Sequence, residues 1–453
     1  MRLLVLSFVA LLGACTSGMQ SEAPTRAAIA DTTLPPMKVF ATPQPVRPQR
    51  SNRDMSRDFL DLAFRMESGR QLDRFTRFEG PITVRVTGRP PATLRADLTR
   101  LLHRLRTEAG INISETSNPG ANITIEAVSR AKIRQALPQA ACFVVPNISS
   151  ISQYRNARRT SATNWSLLKT RQKMAVFVPN DVSPQEVRDC LHEELAQALG
   201  PLNDLYRLPD SIFNDDNIHA VLTGFDMLML RAYYDPALQS GMTRNEVAKR
   251  LPAILARHNP GGEGRGSYRL SPTPASWVDA IQTALGPGTS GPNRRAAASR
   301  ALLIAKNEGW HDHRLAFSHY ANGRLMQSYD SDQAHTHFLL ADRYYRQFPF
   351  SGPHHGFVAT QLAAYAISAG RGTEALALVT PRIDEAAQFE NAALLSTLML
   401  LRAEALQLVN RSEEARSVRV DSLGWARYGF GADWAVRAKM REVAALSPLK
   451  GGY

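Results

Sequence analysis

Cys190-Leu-His-Glu-Glu-Leu-Ala-Gln-Ala-Leu-Gly-Pro-Leu-Asn-Asp204 is the stretch on which the reading of this chain turns. It closes a predicted helix that opens at Ser183-Pro184-Gln185-Glu186, with Ser at the N-cap, Pro at the first helical position and Glu at the third, a capping-box arrangement. Gly200-Pro201 stops the helix after Leu199. Leu195 and Leu199 then share a face suited to a core, while Glu193 and Gln197, about one turn apart, share another. A helix that binds catalytic zinc carries two His at i and i+4, with a Glu at i+1 as general base. Starting from His192, the second ligand place is Ala196, whose methyl group binds no metal. Starting from Glu193, the frame fills better. Glu194 takes the general-base place, Gln197 the second ligand place, Gly200 the turn, and Asn203 the third ligand place with Asp204 beside it.

Upstream of this helix, Arg57–Met66 has helical spacing, and Pro81-Ile-Thr-Val-Arg-Val alternates as a half-buried strand does. Leu94, Leu98, Leu101, Leu102 and Leu105 form an apolar helical stripe. Residues 111–113, 122–127, 142–145 and 174–178 are further predicted strands, and a second helix is predicted over roughly 218–234. The fold class is therefore α+β: a small sheet with a motif helix, followed by helices.

The segment order resembles that of metzincin proteases: strands, motif helix, glycine turn, a Met-turn-like loop and a closing helix. Asp210-Ser211-Ile212-Phe213-Asn214 resembles the Met-turn, with Phe213 where Met would stand, and residues 222–236 resemble the final helix. The block from about 56 to 236 also resembles the domain of unknown function 2927 family of alphaproteobacterial envelope proteins. The residues that carry this likeness are Glu193, Glu194, Gln197, Leu199, Gly200, Asn203, Asp204, Ser211, Ile212, Phe213, Asn214 and Asp215. The resemblance implies a metzincin-like small mixed sheet around a degenerate site.

Glu193, Gln197 and Asn203 or Asp204 offer only oxygen donors, which suit calcium, magnesium or manganese better than zinc. Glu193 and Glu194 also point about 100° apart on a helix. The leading expectation is a pseudo-protease without cofactor. The rival is one divalent metal ion and hydrolysis of peptide or cell-wall substrate, with Glu194 as general base. No Gly-x-Ser-x-Gly elbow is present, and Gly261-Gly-Glu-Gly-Arg-Gly lacks the Lys-Ser/Thr of a phosphate loop.

Beyond the Gly/Pro breaks at 259–266 and 286–292, the chain reads as helical to about 445. Asp332-Gln-Ala, Thr373-Glu-Ala and Glu413-Glu-Ala open apolar runs about 40 residues apart. Repeated helix-turn-helix units make a solenoid, and these resemble tetratricopeptide repeats without that family's Trp-Leu-Gly-Tyr signature. The resemblance implies a protein or peptide partner there; the alternative is an irregular helical bundle. His311, His313, His319, His335, His337, His354 and His355 crowd this half, and are expected as scattered surface histidines near Tyr and Phe.

At the N-terminus, Arg2 precedes an apolar run from Leu3 to Leu12, far short of the roughly 20 residues of a spanning helix. Leu12-Gly13-Ala14-Cys15 resembles the lipobox of bacterial lipoproteins, which implies a signal peptide over 1–14 and lipidation at Cys15. Thr16 in place of Asp favours the outer membrane, facing the periplasm. Residues 15–55, rich in Pro, Thr, Ser, Ala and Arg, are expected as a disordered tether. The expected divisions that follow are 56–257, a linker with a short helix over 258–292, and a helical-repeat domain over 293–453. The remaining cysteines, Cys142 and Cys190, are expected to form a disulfide in an oxidising compartment, the alternative being two buried free thiols. The formal charge of +13, nearly all from Arg, reads as solvated basic faces or as contact with anionic envelope polymers. No zinc-finger spacing or basic helix points to nucleic acid.

Overall fold

The computed structural model describes residues 34–40, 45–214, 216–348 and 352–450. Cys15, the signal segment 1–14 and Asp215 lie outside the described residues. The architecture is α+β: a five-stranded mixed sheet in the first half, then a long run of helices.

The first helix, α1 (Asn52–Ala63), starts five residues before the predicted one, because Ser51 accepts from the Asp54 N–H and fixes its N-terminus. Then come β1 (Ile82–Gly88), α2 (Leu94–Thr107), β2 (Ile113–Glu115), β3 (Ile123–Val128), α3 (Arg130–Ala136), β4 (Phe143–Pro146), α4 (Ile151–Ala157), β5 (Met174–Pro179) and α5 (Pro184–Leu199). The strand order is β2-β1-β3-β5-β4. Every pairing is parallel except β4 with β5, which is antiparallel and leaves β4 at one edge.

β5 is apolar on both faces, as a strand covered on two sides must be, while β1 and β3 keep polar side chains such as Arg85 and Glu126 on one face. Met174, Val176 and Val178 of β5 join the main core with α2 and α5, while Ala175 and Phe177 face a smaller core with Ile133, Phe143 and Val145. That alternation is the two-residue period of a strand.

The helix expected over 218–234 is α6 (Gly224–Tyr233): Thr223 and Asp226 form a reciprocal capping box, so residues 218–223 are loop. α7 (Arg244–His258), opened by a second capping box at Thr243 and Glu246, completes this half.

The second half holds α8 (Ala275–Leu285), α9 (Gly291–Asn307), α10 (His313–Met326), α11 (Ser331–Gln347), α12 (Gly352–Ser368), α13 (Gly372–Gln388), α14 (Ala392–Leu408), α15 (Ser412–Phe430) and α16 (Asp433–Ala444). The three expected apolar runs open α11, α13 and α15. Each of these packs on the helix before it, along faces rich in alanine such as Ala334, Ala363, Ala366 and Ala375. No described helix is long and apolar enough to cross a membrane.

Two expectations are corrected. Residues 34–40 and 45–51, read as part of a disordered tether, are docked. The Lys38 N–H donates to the Gly424 carbonyl, Phe40 stacks on Trp425, and Arg50 is buried between Asp58 and Asp210. A Pro-rich segment has little conformational freedom to lose, and here its few apolar side chains find α15. The histidines are also not scattered on the surface: His313, His319, His354 and His355 are buried. His313 Nε2 meets the Tyr206 carbonyl at 2.6 Å and His354 Nε2 meets Asp216 at 2.6 Å, so both face the first half of the chain. Burial pushes His313 down to about 4 and His319 to about 3, which keeps both rings neutral.

Candidate functional site: an acidic cleft beside the motif helix

Helix α5 begins as its sequence dictates, with Ser183 accepting from the Glu186 N–H. Glu186 does not complete the expected capping box; it pairs with Arg130 at 3.3 Å. The far end of the helix is held by a residue that no motif marks. Buried Arg171 donates to the carbonyls of Gln197, Ala198 and Gly200, with its guanidinium over the Trp165 ring. The Tyr233 hydroxyl also donates to the Gly200 carbonyl, and Tyr234 to that of Leu199. The last carbonyls of a helix have no partner within it, so a buried cation is a favourable cap there. Gly200 is required by proximity, since a Cβ would lie 2.9 Å from the Tyr233 ring.

After the turn, the Leu202 N–H donates to the Leu62 carbonyl, and the Glu67 N–H to that of Leu202. This joins the loop after α5 to the turn after α1. Glu67 and Asp204 thereby enter one cleft of about 740 Å³ with Glu193, Glu194 and Gln197. The opposite wall is the chain around the edge strand β4, including Cys142 and Val144, with Trp165 nearby.

Gln197 donates to Glu67 at 3.3 Å. Burial raises the Glu67 carboxyl, opposed by hydrogen bonds with Asp204 and Gln197. Glu194 is buried and its Oε2 has no hydrogen-bond partner. Burial, with Glu193 and Glu67 adding like charge, holds it well above the usual carboxylate range, which favours the protonated form.

The expected site residues therefore divide. Glu193, Glu194, Gln197 and Asp204 come together, and Glu67 joins them without any sequence signal. Asn203 does not, because its amide donates to the Asp61 carbonyl. Ser211, Ile212, Phe213 and Asn214 do not line the cleft either. Ser211 Oγ donates to Asp226 at 2.5 Å, the Ile212 N–H donates to the same carboxylate, and Phe213 is buried in the main core. That loop ties α6 to the chain leaving α5. His192 is spoken for as well: its Nδ1 accepts from the Leu222 N–H, and burial holds the ring neutral.

The cleft's acidic wall offers oxygen donors without an imidazole, a set that does not fit catalytic zinc. Among the described residues, no three His, Cys, Asp or Glu are grouped to hold a metal ion.

Cys142 and Cys190 are disulfide-bonded, with Cα atoms 5.8 Å apart, tying the chain entering β4 to α5 at the rim of the cleft. β4 has a free edge here. Its register pairs 143 with 177 and 145 with 175, and the Asn147 N–H donates to the Lys173 carbonyl. Alternate residues of an antiparallel strand turn their backbone outward, so Val144 presents its N–H and C=O away from β5.

A mixed sheet with an antiparallel edge strand, and a buried helix whose acidic residues face that edge across a cleft, define the class: an α+β domain with an acidic edge-strand cleft. Over residues 52–253 the chain matches the model of a family described as protein of unknown function (DUF2927), and the resemblance to that family holds across this whole half. No curated protein and no solved structure matches the chain.

Proposed function

We propose that residues 52–253 form a peptide-binding domain, a protease-like fold that has lost metal catalysis, carried on a lipid-anchored chain of the cell envelope. The observation behind this reading is the pairing, in one cleft, of an open strand edge with an acidic wall. An extended segment can add to β4 through the N–H and C=O of Val144, a mode in which main-chain bonds supply affinity and side-chain pockets supply selectivity. Glu67, Glu193, Glu194 and Asp204 on the facing wall favour a segment carrying Lys or Arg. The helical array is the second proposed partner surface, of tetratricopeptide-like kind, and it also braces α5 from behind.

A cation arriving beside carboxyls with raised pKa favours their ionised form. Binding should therefore release protons, and affinity should rise with pH through the raised values of Glu67 and Glu194. The test is calorimetry with a short extended Lys-containing peptide and its Glu-containing counterpart, in two buffers of different ionisation heat. The Lys peptide should bind with proton release, and Glu67→Gln should weaken it about tenfold, the loss of one charge-assisted contact. Val144→Pro, which removes an outward N–H that an edge strand can spare, should abolish binding. Equal binding of both peptides, or an unaffected Val144→Pro variant, would sink the proposal. One tightly held metal ion per chain on elemental analysis would instead favour the hydrolase with Glu194 as general base.

A further inference from the structure

The end of the helical array formed by α15 and α16 is furnished unlike the rest of the surface. Leu34, Val420, Leu423 and Met440 line an apolar groove of about 490 Å³ with Arg437 and Arg441, and none of its lining residues is acidic. Trp434 lies two turns before Arg441 on the same stripe of α16. It is 75% exposed, the most exposed large apolar side chain among the described residues, and Val420 is 55% exposed. An uncovered tryptophan beside apolar side chains and arginines is a combination suited to a membrane–water boundary. The indole ring settles at headgroup level, and basic residues meet anionic lipid.

The course of the chain says which surface this is. Leu34, where the described body begins, lies in the groove itself. Only residues 16–33 separate it from Cys15, a span of at most about 70 Å when fully extended.

We propose that the α15–α16 end seats on the surface of a bilayer containing anionic lipid, with Trp434 and Val420 entering the headgroup layer and Arg441 meeting lipid phosphate. The proposal draws on the lipid-anchor reading only for the nearness of a membrane; the chemistry of the surface stands apart from it.

The test therefore uses the chain from residue 15 onward with Cys15→Ser, which carries neither the apolar run Leu3–Leu12 nor a thiol to acylate. Co-sedimentation is measured with vesicles of phosphatidylcholine alone and of phosphatidylcholine and phosphatidylglycerol in equal parts. The protein should partition onto the anionic vesicles and be released by added salt. In this same background, Trp434→Ala and Arg441→Glu should each lower partitioning about tenfold. Leu339→Ala, at an exposed position on α11 outside the groove, should leave it unchanged. Equal binding to both vesicle types, or no loss in the Trp434 and Arg441 variants, overturns the proposal. Because no acyl chain is present, neither result depends on whether Cys15 is lipidated; release of Cys15→Ala protein from cell membranes tests that separately.

Discussion

At the scale of single residues, two buried groups near the end of α5 should answer mutation in opposite ways. Arg171 satisfies three carbonyls that have no other helical partner, and it has no carboxylate to balance it. Arg171→Leu should leave the Gln197 and Ala198 carbonyls buried and bare, with Gly200 keeping only the Tyr233 hydroxyl, at a cost of at least about 3 kcal/mol. Burial holds the Glu194 carboxyl well above its usual value, so the folded state holds the proton more tightly than the unfolded one. Its contribution is thus present at low pH and lost as pH rises from the usual Glu value through the raised one. Glu194→Gln, close in shape to the protonated acid, should cost less than about 1 kcal/mol at low pH and become stabilising at high pH. Urea midpoints of both variants across that range check the contrast. Neither role was equally legible beforehand. The carboxylates at 193 and 194 announce themselves by helical spacing, whereas Arg171 sits in Thr170-Arg-Gln-Lys, where nothing local separates a buried cap from a solvated charge. Glu67 was hidden for the same reason, since its partner Asp204 is brought to it by folding alone.

Between elements, the disulfide is the covalent strap of the cleft, fixing the distance between the edge strand and the helix opposite. Replacing Cys142 and Cys190 by Ser should lower stability by about 3–4 kcal/mol in the chain-entropy model, for a sequence separation of 48. It should also speed amide exchange at Val144 more than in β1 or β3. Uniform exchange across the sheet would argue that β4 is held by its pairing with β5 alone. Strands and helices that carry their own periodicity were readable to within a few residues. The helices missed were short, as α3 and α4 are, or lay where turn residues drew attention away. α7 could have been found from Thr243-x-x-Glu246, a capping box in plain view. The sheet order was not readable, because register between distant strands depends on which apolar faces meet, and β5 is apolar on both sides.

For the whole molecule, the decisive contact is the back of α5. Arg188 is buried there, bonded to Glu390 at 3.0 Å and stacked over the rings of Phe40 and Tyr428. Gln185 pairs with Asn391, and the Tyr428 hydroxyl donates to Asp97 at 2.9 Å. The motif helix thus belongs to the cores of both halves, and calorimetry should record one melting transition. Arg188→Ala leaves Glu390 and two aromatic faces uncompensated, and should split that transition in two. Two transitions already in the parent protein would mean that the halves melt independently. The division expected from composition near 257 treated the helical half as separate; side chains at 185 and 188, which look like an ordinary helix surface in the sequence, are what join it.

The docking of residues 34–40 on α15 carries a consequence in time as well as in space. This segment is made long before the helices that receive it; Lys38 and its partner Asp421 are 383 positions apart. Until α15 and α16 have formed, Met37 and Phe40 have nowhere to go. Closing so long a loop is a late and slow event in folding. The clasp therefore closes only once α15 is in place, and a chain cut short anywhere before α15 keeps Met37 and Phe40 uncovered.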